Sequence, residues 1–199
     1  FTFDITGALV NAENELLVMV IDPTDSGLQQ RGKQVLKPNG IWYTPVSGIW
    51  QTVWLEDVPP VSIESLRLTP DLDRQSLLVE LRLSGAQSMP DLQVQAEASF
   101  NGEWVSAGQG PAHQPLRLSI PNPLKWGPGH PHLYDLTIRL RNGSQTLDEV
   151  GSYFAMRSFG LAPDAQGHSR FTLNGQPLFL YGPLDQGYFP DGLYTPPSE

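Results

Sequence analysis

Three of the four Asn-Gly pairs, at 101–102, 142–143 and 174–175, each stand between two short runs of apolar and aromatic residues. Asn and Gly readily take the two positive φ angles of a type I′ turn, whose twist matches that of two antiparallel strands. A chain punctuated in this way folds as hairpins. Between residues 60 and 158 the runs alternate with period 2. Leu77, Val79, Leu81 and Leu83 alternate with Leu78, Glu80, Arg82 and Ser84, and Leu92, Val94, Ala96, Ala98 and Phe100 alternate with Gln93, Gln95, Glu97 and Ser99. Tyr134, Leu136, Ile138 and Leu140 line one face of a further run. Each pattern gives a strand with one dry and one wet face.

Adding the runs at Ile63 to Leu68, Trp104-Val105, Leu116 to Ile120 and Leu147 to Val150 predicts about seven strands, the sequence form of an immunoglobulin-like sandwich without its cysteine pair. The flanks differ. Phe1, Phe3 and Ile5 alternate, and residues 16–21 form a continuous apolar run that predicts a strand buried on both faces. After the turn at Pro45 to Gly48, Ile49, Gln51, Val53 and Leu55 share one face of a predicted strand, while Trp50, Thr52, Trp54 and Glu56 share the other. An indole there packs into a core or offers a platform to the C–H face of a sugar. About four strands are too few for a sandwich of their own, so residues 1–58 read as the C-terminal part of a β domain. The opening in mid-pattern implies preceding chain. Pro59-Pro60 is a stiff link. Past residue 158, the hairpin at Asn174-Gly175 sends its apolar second arm into a loop of aromatics, glycines and carboxylates, as the strands of a barrel do at an active site.

Composition narrows the chemistry. Gly and Pro number 19 each and are dispersed between short runs, as the turns of an all-β chain require. A net charge of −9 opposes binding to a phosphate backbone. No apolar run reaches the roughly 20 residues of a membrane-spanning helix. The absence of cysteine removes disulfides and thiolate metal sites without fixing a compartment. His130 and His132, at i and i+2, have zinc-compatible spacing but no third ligand in sight, so no metal or other cofactor is expected. Arg31, Lys33 and Lys37 form a basic patch that reads as a solvated loop, with contact to an acidic sugar as the alternative.

Five stretches, taken in order, resemble glycoside hydrolase family 2, the group of β-galactosidases, β-mannosidases and β-glucuronidases. Residues 14–22 are similar to a strand of its sugar-binding jelly roll, and Ser47-Gly48-Ile49-Trp50-Gln51-Thr52-Val53-Trp54-Leu55 to the strand that closes it. Trp126-Gly127-Pro128-Gly129-His130-Pro131-His132-Leu133-Tyr134 resembles a signature of the central immunoglobulin-like domain, and Asp148-Glu149-Val150 with Phe154-Ala155-Met156-Arg157 resembles its exit. Residues 171–182 are similar to the entry into the catalytic barrel. The resemblance implies an all-β chain: a partial jelly roll over 1–58, a sandwich over 59–158 and the opening strands of a TIM barrel over 159–199. It also implies a parent enzyme that hydrolyses β-glycosides with retention, through two glutamates on later barrel strands, so no catalytic residue is expected in this chain.

The same resemblance makes the loop after Gly182 the part nearest the substrate. Where β-galactosidases carry Asn-Arg-His-Glu, this chain has Leu184-Asp185-Gln186-Gly187-Tyr188, so galactose specificity does not carry over. Asp185, Gln186, Tyr188 and Asp191 are the substrate-binding candidates. Trp42, Trp50 and Trp54 are the candidates for sugar stacking, and together with Tyr43 they would suit a stand-alone carbohydrate-binding module as well. Arg157 is expected to pair with a carboxylate. The expected partners are a β-glycoside carbohydrate and, through the open edge of the first segment, a second copy of the chain, with neither nucleic acid nor membrane.

Overall fold

The strongest alternations become the strands with the driest faces. The computed structural model describes residues 1–198. It contains β1 (Ser62–Asp71), β2 (Ser76–Ser84), β3 (Gln93–Phe100), β4 (Glu103–Pro111), β5 (Leu116–Ser119), β6 (Tyr134–Asn142), β7 (Gln145–Phe154), β8 (Phe159–Pro163), β9 (Ser169–Leu173) and β10 (Gln176–Pro177). Among the described residues the only helical turn is a 3-10 turn at Thr6–Ala8. Three antiparallel sheets result, ordered β1-β2-β5, β4-β3-β6-β7 and β10-β9-β8. By their contacts the described residues form two units, 1–55 with 184–198 and 56–183.

The first two sheets make the sandwich. Leu77 and Val79 of β2 and Leu118 of β5 belong to one buried cluster with Val94, Ala96 and Ala98 of β3 and Leu136, Ile138 and Leu140 of β6. Ala96 pairs with Ile138 and Ala98 with Leu136, so a small side chain lies beside a large one in each row. Tyr134 stacks on Phe154 at 5.1 Å, and its hydroxyl accepts the amide of Leu124 at 2.8 Å. A buried phenol thereby keeps a polar partner. Asp148 of β7 accepts the amide of Ile63 at 2.7 Å and joins the first strand to the last. Three register shifts interrupt the ladders, leaving Glu64, Val105 and Leu147 without an opposite residue. At Asn101-Gly102 and Asn174-Gly175 both φ angles are positive, as a type I′ turn requires. The third pair departs from that pattern: Asn142 ends β6 and the two-residue loop is Gly143-Ser144, the bulge at Leu147 taking up the offset.

Gly85, after β2, has φ +69°, and a Cβ there would run into the carbonyl of Pro60. Gly85→Ala should therefore lower the unfolding free energy by ~2 kcal/mol, read as a shift of the urea midpoint, since left-handed strain and a backbone clash act together.

The first segment corrects the sequence reading. Residues 16–21 are exposed, Leu17 to 84% and Ile21 to 82%, and they form no ladder. Residues 49–56 likewise remain unpaired, with Trp50 and Trp54 exposed to 63% and 71%. A run with strand propensity becomes a strand only when a neighbour satisfies its backbone groups, and no described residue does so here. The one bridge in the segment joins Gln34 and Tyr43.

Candidate functional site

Backbone pairing gathers the side chains after residue 183. Phe189 and Leu193 exchange two amide-to-carbonyl bonds of 2.8 and 3.0 Å, which close a turn over residues 190–192. That closure brings the flanking Tyr188 and Tyr194 edge to face, their ring centres 4.9 Å apart. Tyr43 is held in the same way: its amide donates to the Lys33 carbonyl at 2.8 Å and its carbonyl accepts from Val35 at 3.2 Å. Lys33 and Tyr43 thus stand together, and both donate to Oε1 of Gln186, at 3.3 and 2.7 Å. Tyr43 also packs against Tyr188 at 5.4 Å, and Trp50 against Tyr194 at 6.4 Å.

Of the candidates, Gln186, Tyr188 and Trp50 meet in this cluster. Asp185 bends its own loop, its Oδ1 accepting the Gly187 amide at 2.8 Å. Asp191 sits exposed in the turn between Phe189 and Leu193. Trp42 lies under the Arg31 guanidinium, 5.7 Å from its ring centre, and Trp54 is solvent-facing. Tyr43, named with the tryptophans as a stacking residue, is in the cluster too, and Lys33 and Tyr194 join it although the sequence did not place them there. Lys33 carried a signal as part of the basic patch; Tyr194 had none beyond its aromatic character.

Burial pushes the Tyr188 hydroxyl up to about 12, with the hydrogen bond to Tyr194 and the charge that Tyr194 and Tyr43 would acquire adding to the effect. A raised phenol pKa means that the folded chain holds a proton the unfolded chain releases. Its stabilising contribution is whole below pH 10.0 and is lost as pH rises toward about 12. Absorbance titration near 295 nm should therefore show one tyrosine ionising late, and Tyr188→Phe should remove that step. Late ionisation that survives the substitution would refute the assignment.

A second set of contacts anchors the β8–β10 sheet. Oδ1 of Asn174 accepts the Ser158 amide at 3.0 Å, and Nδ2 donates to the Trp126 carbonyl at 2.8 Å. The Trp126 amide in turn donates to Met156 at 3.0 Å. Arg157 places its guanidinium 4.6 Å from the Trp126 ring centre and 5.2 Å from that of Phe159. The carboxylate partner expected for Arg157 is absent among the described residues; a weakly hydrated planar cation is held between aromatic faces instead. His130 and His132 stack at 6.0 Å, with Phe100 edge-on to His132. Among the described residues no group of three ligating side chains could hold a metal ion, and no helix is long and apolar enough to cross a membrane.

Known proteins share the sandwich of this chain. The family model described as glycosyl hydrolases family 2 matches residues 61–157, from the start of β1 to Arg157. That stretch, just under half of the chain, is similar to the family 2 domain. The chain is 27% identical to a β-galactosidase of Psychromonas ingrahamii, over 90% of this chain and 18% of that protein. It is 26% identical to a putative β-glucuronidase of Formosa agariphila, over 92% and 22%. The chain therefore spans about a fifth of the length of these relatives. A β-glucuronidase from Ruminococcus gnavus, solved with uronic deoxynojirimycin, superposes with a TM-score of 0.53 at 21% identity, over 69% of this chain and 22% of that one, which supports the fold.

Within the residues that match the family model, the recognised motifs serve architecture. Trp126 and Arg157 meet each other, Asp148 ties β7 to β1, and the motif tyrosine Tyr134 holds the chain before it.

Proposed function

We propose that this chain is the accessory part of a retaining β-glycoside hydrolase whose two catalytic glutamates lie on barrel strands outside these residues. The observation carrying the reading is the family 2 match over 61–157 in a chain that spans about a fifth of its relatives. On this reading residues 1–58 belong to a sugar-binding jelly roll, 59–158 to the sandwich and 159–199 to the start of the barrel, Glu199 lying outside the described residues. Gln186, Tyr188, Asp185 and Asp191 contribute to the substrate wall. Tyr43 and Lys33 fix the Gln186 carbonyl oxygen and leave its Nε2 to donate to a sugar hydroxyl. The barrel would supply two carboxyl groups about 5 Å apart, one to protonate the leaving oxygen and one to attack the anomeric carbon.

A chain extended through the barrel should hydrolyse an aryl β-glycoside, with Gln186→Ala raising KM. A folded extended chain inactive on a broad panel of such substrates overturns the reading. The Trp50 and tyrosine cluster favours a second one, a stand-alone carbohydrate-binding module. That reading predicts calorimetric binding of neutral oligosaccharides by the 199 residues, abolished by Trp50→Ala without unfolding. Association of two copies through the exposed run at 16–21 would appear as dimers in light scattering at high concentration; a strictly monomeric species refutes it.

A further inference from the structure

An Asn-Gly pair carries a covalent liability as well as a turn preference. The glycine nitrogen, screened by no side chain of its own, attacks Cγ of the asparagine: a C–N bond forms, the Cγ–Nδ2 bond breaks and ammonia leaves. Water then opens the five-membered imide at one carbonyl or the other. The product is aspartate or, where the chain now runs through Cγ, isoaspartate. Water is the only co-reactant. The side-chain amide must first swing over the glycine nitrogen, so hydrogen bonds that hold it elsewhere slow the reaction.

Of the four pairs, those at 101–102 and 174–175 form a matched set. Asn101 and Asn174 have φ +52° and +53°, and the glycines after them have +82° and +79°. Each pair joins two adjacent antiparallel strands, β3 to β4 and β9 to β10. Their side chains differ. Asn101 is exposed, whereas Asn174 is half-buried and held at both ends, Oδ1 by the Ser158 amide at 3.0 Å and Nδ2 by the Trp126 carbonyl at 2.8 Å. The Asn174 amide also donates to the Ser158 carbonyl at 2.8 Å, which docks the turn itself. Asn39 has one bond, of 3.4 Å, to the Lys37 carbonyl, and Asn142 ends β6, so neither enters the comparison. Ladder length argues the other way. β3 and β4 meet through eight residue pairs, β9 and β10 through two. Looseness of the turn alone would make Asn174 react first, whereas the side-chain clamp makes Asn101 react first. Attack at Asn174 requires both of its side-chain bonds to break, which at the usual net strength of such bonds slows it roughly tenfold or more.

We propose that Asn101 is a site of spontaneous deamidation in the folded chain and that the clamp of Ser158 and Trp126 spares Asn174. Conversion places a carboxylate two residues before Glu103 in a chain whose net charge is already −9. The isoaspartate form also adds a methylene to a two-residue turn, beside the register shift that follows Ser99. Both changes loosen the start of β4. The test is incubation of the 199-residue chain in warm, mildly alkaline buffer, followed by proteolysis and mass spectrometry of the peptides carrying each pair. Electron-transfer fragmentation separates isoaspartate from aspartate. The Asn101 peptide should gain the mass of an NH2-to-OH exchange, with Asn174 roughly tenfold or more slower. In concentrated urea the two rates should converge, because the dipeptide is the same and the clamp is gone. No conversion of Asn101 in the folded chain overturns the proposal, as does conversion of Asn174 at an equal or higher rate. A difference that persists in urea overturns it too, since local sequence and not the fold would then set the order. None of these readouts involves a glycan, so failure here is distinct from failure of the hydrolase reading.

Discussion

Ile138→Ala is expected to lower the free energy of unfolding by about 3–4 kcal/mol. Ile138 is 0% exposed at the middle of β6, paired with Ala96 on one side and Val150 on the other. Removing three carbons there loses their transfer free energy and leaves a void that close-packed neighbours fill only in part. The alanine opposite cannot grow into the gap. Urea unfolding followed by tryptophan fluorescence should show the midpoint falling with the slope unchanged. Phe179→Ala, at a side chain 84% exposed, should shift the midpoint little. Equal shifts for the two variants would mean that the sandwich core is not where the structure puts it.

Asn174→Ala should loosen the β8–β10 sheet by about 2–3 kcal/mol, combining two lost side-chain hydrogen bonds with an alanine forced into the left-handed region. Asn174 has φ +53° and its side chain serves Ser158 and Trp126 at once. Hydrogen exchange reads the effect locally. The Ser158 and Asn174 amides should lose protection while those of β3 and β6 keep theirs. Asn174→Asp retains the acceptor for Ser158 but not the donor to Trp126, so it should fall between the two. Unchanged exchange at Ser158 in the alanine variant would show that the clamp is incidental.

The sandwich was readable in the sequence because period-2 burial is written directly into residues 76–84, 92–100 and 134–140, and most of those apolar positions became the core. The first segment was not, because its runs carry strand propensity while strand formation depends on a partner, and partners are long-range information. Arg157 was misread for a related reason: sequence shows a cation, while the aromatic faces of Trp126 and Phe159 that receive it are assembled only by the fold. Of the residues in the cluster, the sequence named Gln186, Tyr188, Trp50 and Tyr43 as separate candidates. It could not show that they meet, nor bring in Lys33 and Tyr194, because the 34–43 bridge and the closed turn at Phe189 and Leu193 exist only in the fold.

The three bulges of the sandwich have a consequence for how it behaves among its own kind. Glu64, Val105 and Leu147 lie on β1, β4 and β7, which are three of the four outermost strands of the two sheets. The fourth, β5, is only four residues long and lies between Pro115 and Pro121. Every free margin is therefore kinked or too short to template a further strand, the means by which β proteins escape edge-to-edge aggregation. Within the sandwich, then, adding a strand from a second molecule would have to straighten a kink or make do with a four-residue ladder.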